Sequence, residues 1–176
     1  MTNLLTTRWF YFSIFATCLS LLGFGLYLEH GLGLEPCPLC IFQRLAYIAI
    51  VLISFIALLH GYGKVSSRFY CGLMALAALI GAGIAGRQVW LQHLPADKVP
   101  ACGPGLDYIL DTFPLSKALK MVLGGSGECA EVQWQFLGLS IAEWSLFCFL
   151  LLIAASLVPF IMHKCKCEFN HTKRSN

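Results

Sequence analysis

Residues 36–60 read PCPLCIFQRLAYIAIVLISFIALLH, a C-x-x-C motif that leads directly into an apolar run. From Ile41 to His60 this run contains one charged residue, Arg44. A helix of this length, rising about 1.5 Å per residue, covers the ~30 Å hydrocarbon core of a bilayer. The stretch therefore predicts a membrane-spanning helix that carries two cysteines at its beginning.

Three further segments, covering about residues 9–28, 69–90 and 144–162, have similar length and apolar character. Across all 176 residues the chain is 58% hydrophobic and only 12% charged, about half the charged share of an average soluble domain. Inside lipid, a helix satisfies all of its own backbone hydrogen bonds. We therefore predict an all-α membrane protein, a four-transmembrane-helix bundle that forms a single domain over residues 1–163.

Two of these segments carry further local signals. The first is longer than the apolar region of a cleavable signal peptide, and no A-x-A-like site follows it before Glu29, so we expect it to be retained as a helix. The third carries small residues at four-residue spacing, namely Ala78, Ala82 and Gly86. Such a seam predicts close packing against another membrane helix.

The positions of lysine and arginine predict how the bundle is oriented. Basic residues lie before the first span, between the second and third, and after the fourth, where residues 164–176 form a basic tail. The two remaining connections, about residues 29–40 and 92–143, carry more acidic than basic residues. Because Lys and Arg favour the cytoplasmic side, both termini are expected in the cytoplasm and both of these loops outside. The basic residues concerned are Arg8, Lys64, Arg68, Lys164, Lys166, Lys173 and Arg174.

The predicted topology divides the nine cysteines into those of the outer loops and those elsewhere. Cys37, Cys40, Cys102 and Cys129 fall in the two outer loops, on the side where disulfides persist. The other five are expected to be packed or reduced thiols; they are Cys18, Cys71, Cys148, Cys165 and Cys167. No metal site is expected, because the possible ligands in the basic tail, His163, Cys165, Cys167 and His171, are only weak evidence for one. The net charge of +3 reflects topology and does not favour nucleic-acid binding.

Within the C-x-x-C motif, Cys40 is the more reactive position. Pro38 suits the first turn of a helix, because its missing N–H would have been unpaired there. Cys40 would then sit among the free N–H groups at the positive end of the helix dipole, which stabilise a thiolate. Arg44 lies one turn further on the same face, within reach of that thiolate. An arginine just inside lipid is a functional candidate, although it can also snorkel to the interface.

Other kinds of site explain the motif less well. A c-type haem site would have His after the second cysteine, where this chain has Ile41. A structural zinc site would need a second close pair of ligands, and Cys102 and Cys129 are 27 residues apart. A structural disulfide between Cys37 and Cys40 stays open, although a bridge across so short a loop adds little stability.

The second outer loop, about residues 92–143, is longer than most connections without structure, which points to function. Its cysteines lie next to turn-rich stretches, PACGPG at 100–105 and GGSG at 124–127, which would let the pair move. Between them, residues 114–123 (PLSKALKMVL) predict a short amphipathic helix. We expect this helix on the outer membrane surface or, alternatively, as a soluble helix over the loop.

Together these motifs resemble the disulfide bond formation protein B (DsbB) family. The resemblance rests on PCPLC followed by Arg44, on Cys102 and Cys129, and on GECAEVQWQFLGLSIAEW at 127–144. It covers most of the chain, from the first span to the fourth. It implies a quinone-dependent oxidoreductase of the bacterial inner membrane, which generates protein disulfides by reoxidising a DsbA-like thioredoxin-fold protein in the periplasm. The implied cofactor is ubiquinone or menaquinone.

The resemblance also implies a role for each cysteine of the two loops. Cys102 would form the mixed disulfide with the DsbA-like partner. Cys129, its loop partner, would exchange with Cys37. Cys40 would face the quinone, where its thiolate forms an adduct or a charge-transfer complex.

Two residues are candidate quinone contacts. Arg44 matches the family arginine that supports the step at Cys40. His93, at the outer end of the third span, could line the quinone site or help with its protons. An interfacial histidine that faces water is an equally good interpretation of His93.

Two other functions stay open at this point. A vitamin K epoxide reductase-like protein is also a four-helix, quinone-linked thiol enzyme, but its membrane-embedded C-x-x-C comes late in the chain, whereas here it comes early. A non-catalytic four-span protein could use outer disulfides only to brace its loops. Such a protein would not need Arg44 one turn from Cys40.

Overall fold

The computed structural model describes residues 2–60, 64–95, 98 and 127–172. In chain order its elements are α1 (Thr2–Leu32), α2 (Pro38–Leu59), α3 (Lys64–Gln92), α4 (Gly127–Ala130), β1 (Gln135–Phe136), β2 (Leu139–Ser140) and α5 (Ile141–Thr172). This part of the chain is helical, as predicted, except for a small antiparallel hairpin of β1 and β2 that was not predicted. Cys102 and the amphipathic helix expected at 114–123 lie outside the described residues.

Three helices are long and apolar enough to cross a membrane: Arg8–Leu32, Pro38–Leu59 and Ser67–Gln92, within α1, α2 and α3. They agree with the first three predicted spans to within a few residues. In α5 a shorter apolar stretch, Ile141–Leu157, falls where the fourth span was predicted, so the fourth crossing stays a prediction. The helix itself continues to Thr172, through most of the segment expected to form the basic tail.

The first outer loop is shorter than the predicted 29–40. α1 continues to Leu32 and α2 begins at Pro38, so residues 33–37 connect them. Gly33 has a φ of 68°, the left-handed conformation that glycine adopts without strain at the end of a helix. The Leu34 N–H then donates to the Leu28 carbonyl at 3.3 Å, so the chain turns sharply and enters α2 at the C-x-x-C motif.

The long helices pack in chain order, with α1 against α2, α2 against α3, and α3 against α5. Their buried core combines aromatic, small and flexible side chains, among them Tyr11, Tyr47, Met74, Ala78 and Phe149. On the outside, large apolar side chains such as Leu52 and Leu79 are more than half exposed. Lipid tails are as apolar as leucine, so this outer surface is suited to a bilayer.

Small residues on α3 allow α5 to approach closely. Ala78 and Ala82 are buried, in agreement with the predicted seam. The closest approach is nevertheless at Gly81, where an added Cβ would overlap the ring of Phe149. At Gly86 an added Cβ would meet no atom of a neighbouring described element within 4 Å. The prediction therefore named the correct helix, but the closest contact between α3 and α5 is at Gly81.

Gly81→Ala is expected to destabilise the bundle. The new methyl group would push on Phe149, which is fully buried and stacks on Tyr47 with ring centroids 4.2 Å apart. Overpacking of this kind costs about 1–3 kcal/mol, against a helix-propensity gain of up to about 1 kcal/mol. Gly83→Ala is the matched control, since it makes the same change on the same helix where space is open. Thermal unfolding in detergent should give the lower Tm for Gly81→Ala, and equal Tm values would contradict the close approach.

The hairpin leads into α5 through a polar cap. Leu137 and Gly138 have φ values of 54° and 79°, which match the two-residue turns that suit twisted strands. At the start of α5, Ser140 Oγ accepts from the Glu143 N–H at 3.3 Å, and Glu143 Oε2 accepts from the Ser140 N–H at 2.6 Å, a reciprocal capping box. Ser140 Oγ also donates to Gln92 Oε1 at 2.8 Å, which ties the end of α3 to the start of α5.

Candidate active site

The two cysteines of the C-x-x-C motif lie where the first outer loop becomes α2. Cys37 precedes the helix in an extended conformation (φ −66°, ψ 158°), and Pro38 is in the first turn, as the sequence predicts. The Ile41 N–H donates to the Cys37 carbonyl at 3.2 Å, so Cys40 lies inside the first turn. Backbone N–H groups there have no partner within the helix, and this end of the helix dipole favours a negative charge.

The thiols of Cys37 and Cys40 are in direct contact. Cys37 Sγ donates to Cys40 Sγ across 2.9 Å. Cys37 is buried, whereas Cys40 is partly exposed. A disulfide bond is about 2.05 Å long, so the pair can close into a disulfide with little movement of the backbone.

Cys129 joins this pair from the second outer loop. It lies in α4, is fully buried, and packs in one cluster with Cys37, Leu39 and Leu91. Hydrogen bonds of Cys37 with the Cys129 and Cys40 thiols, together with burial, raise the pKa of Cys37 above its usual range. The structure therefore brings three of the four predicted site cysteines into contact.

A glutamine on α3 contacts both sulfurs of the motif. Gln88 Nε2 donates to Cys37 Sγ at 3.3 Å and to Cys40 Sγ at 3.2 Å. Gln88 Oε1 in turn accepts from Gln43 Nε2 at 2.7 Å. The two glutamines are only 4% and 5% exposed. Sequence reasoning assigned neither a role, and the one available signal was that each is a polar residue inside an apolar span.

Arg44 contacts α1, and not the cysteine one turn before it. Its Nη1 forms an ion pair with Glu29, and its Nη2 donates to the Gly25 carbonyl at 3.1 Å. Within the described residues, this arrangement replaces the predicted contact with a Cys40 thiolate. The reason is that α1 extends past Glu29 to Leu32, which places a carboxylate beside the guanidinium, and a carboxylate attracts it more strongly than a neutral thiol does.

The thiols open onto a cavity of about 560 Å³. Polar groups of Cys40, Arg44 and Gln88 line it near the start of α2. Apolar side chains from α1 and α5 form much of the remaining wall, including Leu21, Leu22, Phe24, Leu28, Ile141 and Trp144. A pocket of this size, with apolar walls and a few oriented polar groups, suits a small amphipathic molecule.

A known family model matches the part of the chain that contains the helices and both outer loops of this site. The family model described as "Disulfide bond formation protein DsbB" matches residues 7–159. The chain belongs to the DsbB family. The family resemblance read from the cysteine pattern is thereby confirmed, and the long apolar helices are those of a multi-pass membrane protein of the DsbB family.

Individual DsbB relatives match over most of their own length. "Disulfide bond formation protein B" of Aromatoleum aromaticum is 49% identical over 159 residues, which cover 90% of this chain and 95% of the relative. The protein of the same name from Marinobacter nauticus is 48% identical over 158 residues, or 90% of this chain and 93% of the relative. That from Acinetobacter baumannii is 53% identical over 137 residues, or 77% and 80%.

His93, the other candidate quinone contact carried over from the DsbB family, lies at the rim of the site. It follows α3 directly, and its side chain is 67% exposed. Its Nδ1 contacts the Val89 carbonyl at 2.9 Å, and its Nε2 lies 3.9 Å from Glu143 Oε1. The described residues that line the cavity include its neighbour Gln92 but not His93. The quinone contact of His93 therefore stays a prediction without support from this geometry.

Cysteines expected to serve packing are found in the bundle interior. Cys18 and Cys71 are fully buried in the main core. Cys71 Sγ contacts the Tyr11 hydroxyl at 3.4 Å. At a rise of 1.5 Å per residue, Cys71 lies about 25 Å from Gln88 along α3. Cys71 is thus remote from the DsbB-like thiol site and can serve as a control position.

Proposed function

We propose that this chain is a membrane thiol oxidase that reoxidises a periplasmic DsbA-like disulfide donor by thiol–disulfide exchange and passes the two electrons to a membrane quinone. The observation that carries the proposal is the contact of Cys129 with the Cys37 and Cys40 pair beside an apolar cavity. Cysteines that only stabilised their own loops would not need to contact a cysteine of the other loop. Membership of a family of disulfide bond formation proteins supports the same chemistry.

The first exchange takes place in the second outer loop. A thiolate of the reduced partner attacks Cys102 of a Cys102–Cys129 disulfide, so a mixed disulfide forms and Cys129 leaves as a thiolate. The second partner thiolate then attacks the partner sulfur of the mixed disulfide and releases Cys102. The partner has lost two electrons and two protons, and the loop disulfide has gained them as two thiols.

The second exchange carries the electrons to the C-x-x-C motif. The Cys129 thiolate attacks Cys37 of a Cys37–Cys40 disulfide, and Cys40 leaves as a thiolate. Cys102 then attacks Cys129 in the bond between the loops, which restores the Cys102–Cys129 disulfide and frees Cys37. The contact between Cys129 and Cys37 supports this order, because a thiolate must lie next to the sulfur that it attacks.

The cavity beside Cys40 suits a membrane quinone. Much of its wall is apolar, and Arg44 supplies hydrogen-bond donors for the carbonyl oxygens of such a ring. When bound, a quinone supplies the acceptor for the two electrons and two protons that leave the Cys37 and Cys40 dithiol. Because a DsbA-like partner is itself a strong oxidant, the final acceptor must be more oxidising still. Ubiquinone and menaquinone both meet these requirements.

The proposed setting is the bacterial inner membrane, with four crossings and both termini in the cytoplasm. Arg8 and Arg68 lie near the beginnings of α1 and α3, at the end of the bundle opposite to the thiol site. The apolar stretch Ile141–Leu157 of α5 would make the fourth crossing. This arrangement follows the preference of Lys and Arg for the cytoplasmic side and puts the thiol site on the periplasmic side.

Quinone absorbance tests the proposal directly. The purified protein, mixed with a reduced DsbA-like protein and a soluble ubiquinone or menaquinone analogue, is expected to reduce one quinone for each partner disulfide formed. Partner thiols are counted in the same samples. Protein whose thiols have been alkylated beforehand is the control and should reduce none. Absence of quinone reduction by the untreated protein with both analogues would contradict the proposed function.

A further inference from the structure

We infer that Gln88 is a catalytic residue that stabilises the Cys40 thiolate through its side-chain amide, and that Gln43 is the positioning residue that orients this amide. The inference rests on the proposed function, because it concerns the sulfurs that react in the proposed relay. It assigns to a neutral amide the thiolate-stabilising role that the sequence pattern assigned to Arg44.

The amide is well placed for this role. Its Nε2 lies 3.2 Å from Cys40 Sγ, a normal separation for a hydrogen bond to sulfur. Gln88 is 4% exposed, so little water competes for its N–H groups. A hydrogen bond to an ionised acceptor in such surroundings is stronger than a bond between neutral groups.

Gln43 determines which end of the amide faces the sulfurs. Its Nε2 donates to Gln88 Oε1 at 2.7 Å, which uses the oxygen as an acceptor and leaves the NH₂ group of Gln88 directed at the two thiols. Gln43 lies on α2, three residues after Cys40, so the helix that carries the thiol also carries the group that orients its partner. Both glutamines are buried, which keeps the arrangement free of exchange with solvent.

The same amide can serve Cys40 in either protonation state. When Cys40 carries a proton, its S–H can donate to Gln88 Oε1 at 3.6 Å. When Cys40 is a thiolate, it accepts from Gln88 Nε2 at 3.2 Å. Each state has a partner without rotation of the amide, so Cys40 can act as a leaving thiolate and be protonated again at one position.

The surrounding charges make such a donor necessary. Glu29, Glu35, Glu128 and Glu131 line the same cavity, and each carboxylate opposes a further negative charge. Arg44 is engaged by Glu29. Within the described part of the chain, the groups that favour a thiolate at Cys40 are therefore the Cys37 thiol, which donates to its sulfur, the Gln88 amide and the helix end.

The contacts also place the negative charge on Cys40 and not on Cys37. Gln88 reaches both sulfurs, but Cys37 Sγ donates its proton toward Cys40 Sγ at 2.9 Å. Cys129 and burial further favour the protonated form of Cys37. Cys40 consequently accepts hydrogen bonds from two directions, which suits the sulfur that leaves when Cys129 attacks Cys37.

The pH dependence of alkylation tests the inference. The reduced full-length protein in detergent is treated with iodoacetamide between pH 5 and 10, and modification of Cys40 is followed by peptide mass spectrometry. In Gln88→Leu we expect the rate at pH 7 to fall by about 10-fold to 100-fold, the size of one charge-assisted hydrogen bond. The plateau rate at high pH should remain, because a thiolate that has formed is still exposed. An unchanged pH profile in Gln88→Leu would overturn the inference.

Further variants distinguish the loss of an oriented Gln88 amide from a change in side-chain packing. Gln88→Glu keeps the shape of the side chain and replaces the donor with a carboxylate, so it should slow alkylation at pH 7 at least as much as Gln88→Leu. Gln43→Leu should cause a smaller loss, and the double variant should equal Gln88→Leu, because Gln43 acts through Gln88. Additive losses would overturn the positioning role. Gln135→Leu, which makes the same change at an exposed residue of β1 that is not among the residues lining the cavity, is the control and should keep the wild-type profile.

This experiment is independent of the proposed function. Alkylation of Cys40 needs neither a quinone nor a partner protein. If the wild-type protein reduces quinone but Gln88→Leu keeps the wild-type alkylation profile, the inference about Gln88 fails alone. If the wild-type protein reduces no quinone, the proposed function fails, whatever the alkylation profile shows.

Discussion

Cys40→Ser is expected to abolish quinone reduction coupled to the partner, leaving only the background rate. The hydroxyl group can keep the hydrogen bond to Gln88 Nε2, now 3.2 Å from the sulfur, so the local structure should persist. A hydroxyl cannot form a disulfide with Cys37, however, and is not ionised at neutral pH. The variant would therefore fold normally and lose the step that delivers electrons to the quinone.

The measurement is the initial rate of the absorbance change of the quinone with reduced partner in excess. Cys71→Ser is the matched control, because it makes the same change at a buried thiol that contacts Tyr11 near the other end of α3. This control should keep the wild-type rate. Full activity of Cys40→Ser would rule out the proposed path of electrons through the C-x-x-C motif.

Arg44→Ala is expected to raise the apparent KM for quinone by about tenfold or more, the effect of losing one hydrogen bond from a charged group. The substitution removes a guanidinium that lines the cavity. It also leaves the Glu29 carboxylate without its partner, and an unpaired negative charge makes the cavity less suitable for a ring with electron-rich oxygens. The rate at saturating quinone should change less than KM, since Arg44 does not contact the sulfurs in this structure.

Three companion variants identify the source of the effect. Arg44→Lys keeps the charge but not the planar group that reaches both Glu29 and Gly25, so its KM should be intermediate. Glu29→Gln removes the carboxylate and leaves Arg44 without its ion pair, with the hydrogen bond to the Gly25 carbonyl still in place. If the unpaired carboxylate contributes to the loss, the double variant Arg44→Ala with Glu29→Gln should bind quinone better than Arg44→Ala alone. Quinone kinetics unchanged in Arg44→Ala would contradict a role for Arg44 at the cavity.

The positions of the first three spans and the start of α2 were predictable because both depend on local patterns. The length of an apolar run determines whether a helix can cross a bilayer, and Pro38 marks the first turn of α2. The predicted ends were less accurate. α1 extends beyond Leu28 to Leu32, because the helix ends at Gly33, where positive φ is tolerated, and not where the apolar run stops.

Contacts between helices were less predictable. The α3 seam was recognised from small residues, but the closest contact with Phe149 is at Gly81, which falls between the seam positions Ala78 and Ala82. The capping box at Ser140 and Glu143 was present as an S-x-x-E pattern and could have predicted the start of α5. Nothing in the pattern indicated that Ser140 also contacts Gln92.

Local sequence patterns were sufficient to predict three membrane helices, the family, and the location of Cys40 in the first turn of α2. The packing of the helices, in contrast, determines which polar groups contact the reactive sulfurs. Arg44 turns to Glu29 on α1, and Gln88 on α3 takes the place beside Cys40. Along the chain, Gln88 lies 48 residues from Cys40 and 45 from Gln43. Contacts over such separations depend on how the helices pack and rotate, which hydrophobic periodicity does not specify.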